Sequence, residues 1–277
     1  MSTISSETDS GGPISPAFCR WSRSGSPYET WGSFSQDKLD RILAMTETQV
    51  LALLKENRNE RGIAQWEKRG AKKGKLKSFG IGLTQLRKLA KQIGRDHELA
   101  QQLWKSDVYD AKTIGLLIDD PKQLSREQVE EQVEELQGGM FAHVFASCDA
   151  TLAKTPFAFE LAGDWMESKD DVRRRCGYTL LYELSKKNPK GMDDDYLLSR
   201  IEHIRREIDG EGMEIRGAMA GALIGIGKRN KKLNKAAIRV AKAIGPIDIG
   251  SGNENSCEPL DVLKHLTSDY LKTKFGE

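Results

Sequence analysis

The feature that most constrains this chain is a helical repeat of apolar residues that starts near residue 36 and persists almost to residue 273. Apolar side chains recur at spacings of three and four, which is typical of helices that bury one face. Strand-like alternation is confined to residues 247–249. The pattern therefore predicts an all-α protein, with helices over residues 97–105, 108–118, 126–136, 140–152, 157–167, 171–187, 196–208, 213–228, 233–244 and 260–273.

These helices come in pairs joined by short loops. The second helix of each pair recurs every ~30–45 residues, a period typical of HEAT-like repeats in which each pair buries its apolar face against its neighbours. The sequence thus predicts a HEAT-like (ARM-type) superhelical solenoid of stacked antiparallel helix pairs. A compact, irregular helix bundle is the structural alternative.

Composition divides the chain into two regions. Residues 1–34 are rich in Ser, Gly, Pro and Thr and lack an apolar period, so they are predicted to form a flexible N-terminal tail. Residues 35–277 are predicted to form a single domain. The sequence has neither a membrane-spanning apolar run nor the layout of a secretion signal, so we expect a bacterial, cytoplasmic monomer.

The charge and the cysteines exclude some function classes. A net charge of +2 produces no protein-wide field for nucleic acid, so anion binding has to come from local clusters such as residues 68–77 and 228–242. A solvated surface is the plainer interpretation of such clusters. The four cysteines (Cys19, Cys148, Cys176 and Cys257) lie far apart, which argues against a zinc site or a disulfide framework. No metal, nucleotide or redox cofactor is expected, because no phosphate-binding loop or HExxH motif occurs.

Five segments resemble, in order, the AlkD-like DNA alkylation repair family: residues 79–90, 97–106, 110–121, 154–177 and 215–230. The resemblance implies a HEAT-like solenoid whose concave, basic surface holds duplex DNA. Active members excise cationic alkylated bases such as 3-methyladenine and 7-methylguanine without the base flipping that most such enzymes use. In them a carboxylate stabilises the oxocarbenium-like sugar that the departing base leaves behind, and aromatic faces add cation–π attraction.

The resemblance also implies that most of this machinery is missing here. Phe141 and Ala142 occupy the positions of a tryptophan and an aspartate, and Phe145 occupies that of the catalytic aspartate. Gly221 occupies the position of the second aromatic residue, and Arg175 matches the arginine that supports the DNA backbone. Asp149 lies four residues after Phe145, about 5–6 Å further along the same helix face, and is the candidate for a displaced catalytic carboxylate. A helix-end cap is the plainer role for Asp149.

Several other residues are candidate DNA contacts. Arg174 and Arg175 can face a common ligand, and Arg175 is the favoured phosphate contact because a guanidinium binds phosphate in a bidentate manner. Phe141 and Phe145 are either core residues or an aromatic surface facing DNA. Gly217, Gly221 and Gly225 form one stripe, which either permits close helix packing or lets a DNA backbone approach. The stripe is flanked by further candidate contacts, namely Arg216, Lys228 and Arg229.

Three functional hypotheses follow. The first is a DNA alkylation repair-type protein that binds duplex or distorted DNA, including branched or damaged DNA, through backbone contacts, with weak or no glycosylase activity. The second is an active DNA glycosylase with a relocated carboxylate. The third is a HEAT-like scaffold whose concave face binds protein. The basic segments and the ordered resemblance favour double-stranded DNA as the partner.

Overall fold

The computed structural model describes residues 45–68, 74–136, 141–147, 150–187, 189–248 and 259–276. Fourteen α-helices occur within these ranges and are numbered here in chain order. They are α1 Glu47–Glu56, α2 Glu60–Glu67, α3 Leu83–Ile93, α4 His97–Trp104, α5 Tyr109–Ile118, α6 Arg126–Glu134, α7 Phe141–Ala146, α8 Ala158–Met166, α9 Asp171–Ser185, α10 Asp194–Glu207, α11 Met213–Gly227, α12 Lys231–Ile244, α13 Val262–Leu266 and α14 Asp269–Phe275. The all-α prediction is confirmed.

Five helices (α3, α5, α7, α9 and α11) pack side by side in one row, which we call the inner row. α9 and α11 run in the same direction, because Arg175 near the start of α9 pairs with Glu214 near the start of α11, and Ser185 at the end of α9 lies against Gly225. Outer helices cover the row: α4 packs on α5, α8 on α9, and α12 on α11. Parallel inner helices alternating with outer ones match the helix pairs predicted from the sequence.

Glycines allow three of these helix contacts to be close. A Cβ built on Gly115 would lie 2.9 Å from the carbonyl oxygen of Ala100, where α4 packs on α5. One built on Gly177 would lie 2.7 Å from the backbone nitrogen of Met166, where α8 meets α9. One built on Gly225 would lie 2.6 Å from Ser185 Oγ, where α9 meets α11. Native interiors are close-packed, so a side chain at any of these positions would push two helices apart.

The interior consists of two neighbouring hydrophobic clusters. The first contains Val50, Leu86 and Leu103 and is formed mainly by α1, α3, α4 and α5. The second is larger and extends from Trp104 to Leu271. α5 contributes to both, with Ile114 in the first and Leu116 in the second, so this helix connects the two parts of the core.

Two predicted helices are shorter than expected. The helix predicted over 140–152 ends at Ala146, and Thr151 instead donates hydrogen bonds from its backbone nitrogen to Leu116 and from its hydroxyl to the carbonyl of Asp119. The helix predicted over 260–273 is split into α13 and α14 at Thr267–Ser268. The candidate strand near residue 247 is an isolated antiparallel bridge between Ile247 and Leu260.

Within the described ranges no helix combines the length and the apolar character needed to cross a membrane.

Candidate nucleic-acid interface

One face of α9 and α11 collects half-exposed polar and small residues, and we call it the row face: Arg175, Tyr182 and Lys186 of α9, with Gly221 and Lys228 from α11 and its C-terminal cap. Spacings of four and seven residues place these side chains on one side of each helix. The Nζ of Lys186 lies 4.0 Å from the centre of the Tyr182 ring. The face therefore combines three cationic side chains with an aromatic ring and a glycine.

The glycine stripe of α11 serves two purposes. Gly225 packs closely, since its Cβ would also meet the ring of Tyr182 at 2.8 Å. A Cβ on Gly221 would have no neighbouring atom within 4 Å, so this position is open. The close-packing alternative thus describes Gly225, whereas Gly221 leaves a shallow place on the row face that any larger side chain would fill.

The arginine run at the start of α9 is paired with carboxylates. Arg173 contacts Glu134 at 2.6 Å and Glu130 at 3.0 Å. Arg175 pairs with Glu214 on α11, and this pair lies on the row face because Glu214 precedes Gly221 by seven residues. The arginines thus lie within networks of acids, and a phosphate would have to compete for them.

Arg174 belongs to such a network and lies apart from the row face. Its Nε donates to Glu211 at 2.9 Å, its Nη2 donates to Asp171 at 2.7 Å and its Nη1 donates to the carbonyl of Ser168. The hydrogen bond to Glu211 raises the pKa of the Arg174 guanidinium above its ordinary value. Its donors connect α9 to the chain before α11, so Arg174 is not part of the row face, and its role as a DNA contact stays a prediction.

Phe141 and Phe145 lie in the core. Phe141 is fully buried, with its ring centre 4.5 Å from that of Tyr109, and Phe145 is 1% exposed and stacks on Trp165 with 6.1 Å between ring centres. Such side chains have no surface with which to touch DNA. Both phenylalanines are therefore core residues, and their inclusion among the DNA contacts is corrected.

The remaining predicted site residues lie at different places in the structure. Asp149, the candidate carboxylate, lies outside the described residues. Arg216 follows Glu214 by two residues, so it lies on another side of α11, with its Nη2 3.8 Å from Asp209. Arg229 donates from Nη2 to the carbonyl of Met192 at 2.7 Å and thereby holds the loop before α10. Only Arg175, Gly221 and Lys228 of the predicted contacts share the row face.

Sequence reasoning missed Tyr182 and Lys186, which share the row face with Arg175. Their positions, seven and eleven residues after Arg175 in the same helix, are a signal that could have found them. Glu214 was missed because an ion pair between separate helices leaves no local pattern in the sequence.

Among the buried acids in the described ranges, Glu183 pairs with Lys186 of the row face at 2.9 Å, whereas Asp110 and Asp119 have structural partners elsewhere. The carboxylate of Asp110 accepts hydrogen bonds from the backbone nitrogens of Phe79 at 2.7 Å and Ile81 at 3.0 Å. Asp119 lies 2.7 Å from His97 Nδ1 and accepts from Gln101 Nε2 at 2.9 Å. Burial raises the pKa of both carboxyls, and these hydrogen bonds oppose the shift. They anchor loops to the ends of α5 and lie away from the row face.

The fold and the row face can now be compared with known proteins. The family model described as "DNA alkylation repair enzyme" matches residues 50–247, well over half of the sequence. The chain belongs to this DNA alkylation repair family. Two uncharacterized proteins, from Listeria innocua and Listeria monocytogenes, are each 26% identical to it, over 69% and 72% of this chain and 83% and 86% of their own lengths.

A solved structure shares the fold of this DNA alkylation repair family member. That structure represents what is described as "a new family of proteins related to the HEAT-like repeat DNA glycosylases with affinity for branched DNA structures". The TM-score is 0.71 at 21% identity, covering 84% of this chain and 97% of that chain. The HEAT-like solenoid predicted from the sequence is thereby confirmed.

Proposed function

We propose that this protein binds duplex or distorted DNA through backbone phosphates on the row face, with weak or no glycosylase activity. The observation that carries the proposal is the arrangement of Arg175 and Lys228 at the two ends of a shallow surface whose middle is Gly221. Phosphate contacts of this kind position a protein on DNA without reading its sequence.

The two cations are far enough apart to contact different phosphates of a duplex. Glu214, beside Arg175, and Lys228 are fourteen residues apart along α11 and its cap. At ~1.5 Å per residue this is roughly 20 Å, or about six base-pair rises of ~3.4 Å along the duplex axis, so the two cations would contact different phosphates. The open position at Gly221 would let sugar and phosphate approach the helix between them, and Tyr182 offers a flat apolar surface beside it.

Weak or absent glycosylase activity follows from the residue at the family's catalytic position. The resemblance assigns that position to Phe145, which is buried against Trp165 and has no charge with which to stabilise an oxocarbenium-like sugar. The family membership and the branched-DNA affinity described for the solved relative support DNA as the partner.

Titration of fluorescent DNA tests this proposal. A duplex and a four-way branched DNA are each titrated at several salt concentrations, with wild-type protein, Lys228→Ala and Lys235→Ala. Lys235 is a matched control because it is exposed on α12, outside the row face. We expect affinity to fall steeply with salt, and Lys228→Ala alone to reduce the slope of log K against log salt by about one.

Measuring base release distinguishes the proposed function from the glycosylase alternative. Single-turnover release of 7-methylguanine from a duplex, with protein in excess, should be absent in wild type. Release that disappears in Asp149→Asn would favour the glycosylase alternative. A folded protein that binds neither DNA would contradict the proposal and favour the protein-binding scaffold.

A further inference from the structure

An exposed aromatic side chain lies beside the Lys228 end of the row face. Tyr270, in the last helix α14, is 70% exposed, whereas the other aromatic residues that the structure describes are buried or half-buried. The other exposed large hydrophobic residue of the described ranges, Met213, lies at the opposite end of α11. Removal of an aromatic ring from water is favourable, so Tyr270 has a contact surface that folding leaves unused.

Two contacts hold α14 against the end of α11. Leu271, the residue after Tyr270, is 1% exposed and belongs to the larger hydrophobic cluster. The Nζ of Lys274 donates a hydrogen bond to the carbonyl of Lys228 at 2.7 Å. Lys228 is the C-terminal cap of α11 and one of the cations of the row face. The helix that carries Tyr270 therefore adjoins the row face through a direct contact.

Tyr270 and Lys274 lie on the same side of α14. Residues four apart in a helix are neighbours on its surface, separated by ~6 Å along the axis. Because Lys274 contacts the carbonyl of Lys228, the ring of Tyr270 lies about one helical turn from that contact. A DNA strand with a phosphate at Lys228 would therefore pass close to Tyr270.

The chemistry of an exposed tyrosine ring suits an unpaired nucleobase. Every base has a flat π face, so stacking on an aromatic side chain is possible with any sequence. Phosphate contacts on the row face are equally independent of sequence. Within an intact duplex the faces of each base are covered by the neighbouring base pairs, whereas they are open where bases are unpaired. A gap, a flap or a branch point provides such bases.

We propose that Tyr270 stacks on an unpaired base of DNA whose backbone lies on the row face. The inference rests on the proposed DNA binding and deepens it, because it names the substrate class: duplex DNA interrupted by unpaired bases. The cations of the row face supply affinity for the backbone, and Tyr270 supplies the preference for the interruption. The anchoring of α14 holds the ring in place before DNA binds, which lowers the entropy cost of stacking.

Two DNAs with identical ends test the proposal. One is a continuous duplex, and the other is the same duplex with a central gap of unpaired nucleotides that include 2-aminopurine, a base whose fluorescence falls when it stacks. Their affinities are measured for wild type, Tyr270→Ala, Tyr270→Phe and Lys272→Ala. Lys272 is the matched control, because it is exposed on α14 but two residues from Tyr270 and so on the other side of the helix. All variants are checked for an unchanged melting temperature.

We expect Tyr270→Ala to weaken binding to the gapped DNA roughly tenfold and to abolish the fall in 2-aminopurine fluorescence, with less than about a twofold effect on the continuous duplex. Tyr270→Phe should resemble wild type, because it keeps the ring. Lys272→Ala should change both affinities by the same factor. A wild-type ratio of the two affinities in Tyr270→Ala would overturn the stacking while leaving the proposed function intact. A wild-type protein that binds neither DNA would overturn both proposals.

Discussion

The guanidinium of Arg175 forms an ion pair with the carboxylate of Glu214, which is 39 residues away in the sequence and one helix away in the inner row. The Glu214 side chain is 62% exposed and that of Arg175 is 25% exposed, so the acid lies on the solvent side of the pair. Ion pairs this exposed contribute ~0–1 kcal/mol. A DNA phosphate could therefore replace Glu214 at Arg175 at little cost in stability.

Replacing Glu214 tests whether the acid limits DNA binding. We expect Glu214→Gln to raise the affinity for duplex DNA about threefold to tenfold at low salt, because it removes a negative charge from the row face and releases Arg175. Arg175→Gln should lower the affinity by a similar factor. Glu134→Gln is the control, since Glu134 pairs with Arg173. An unchanged affinity in Glu214→Gln would remove Arg175 from the interface.

Alanine substitutions at Gly225 and Gly221 should have opposite effects on the stability of the protein. Gly225→Ala is expected to destabilise the protein by ~1–3 kcal/mol, because its Cβ would lie 2.6 Å from Ser185 Oγ and 2.8 Å from the Tyr182 ring. Gly221→Ala should stabilise it by up to ~1 kcal/mol through helix propensity, because no atom lies within 4 Å of its Cβ. Urea denaturation measures both, and equal stabilities would contradict the packing described here.

A larger side chain at Gly221 should affect binding instead of folding. Gly221→Leu is expected to weaken DNA binding severalfold with little change in unfolding midpoint, because the added atoms would fill the shallow middle of the row face. Gly163→Leu provides the comparison, since Gly163 on α8 is equally open and lies on an outer helix. If Gly221→Leu bound DNA as tightly as Gly163→Leu, the DNA backbone would not pass over this position.

An aspartate at residue 145, the position that the resemblance matches to the family's catalytic aspartate, should not produce catalysis. Phe145 is 1% exposed and stacks on Trp165, so Phe145→Asp would bury an unpaired carboxylate and should cost more than about 4 kcal/mol of stability. Phe145→Leu, which keeps the site apolar, should cost far less. Chemical denaturation and single-turnover release of 7-methylguanine measure the two effects. A folded Phe145→Asp protein that released the base would show that this side chain can reach DNA.

The sequence predicted the succession of helices well, because each helix of the inner row buries an apolar stripe of its own. It could not predict where the helix after Phe141 ends, since that end depends on the hydrogen bonds of Thr151 to residues at the end of α5. Nor could helical spacing decide whether Phe141 and Phe145 face the core or a ligand, because both arrangements use the same periodicity. The pairing of Arg175 with Glu214 is a tertiary contact and leaves no trace in either helix.

Cys176 should report on global unfolding. Its side chain is fully buried on α9, and burial raises the pKa of its thiol to about 12. Because the thiolate is the reactive form, the native protein should leave Cys176 unmodified by iodoacetamide at pH 8, although an unperturbed thiol with a pKa near ~8.5 reacts readily. A protein that retains only this cysteine, with serine at positions 19, 148 and 257, should be labelled at the rate of its unfolding. Labelling as fast in native buffer as in urea would show that α9 opens locally, and would contradict its place at the centre of the core.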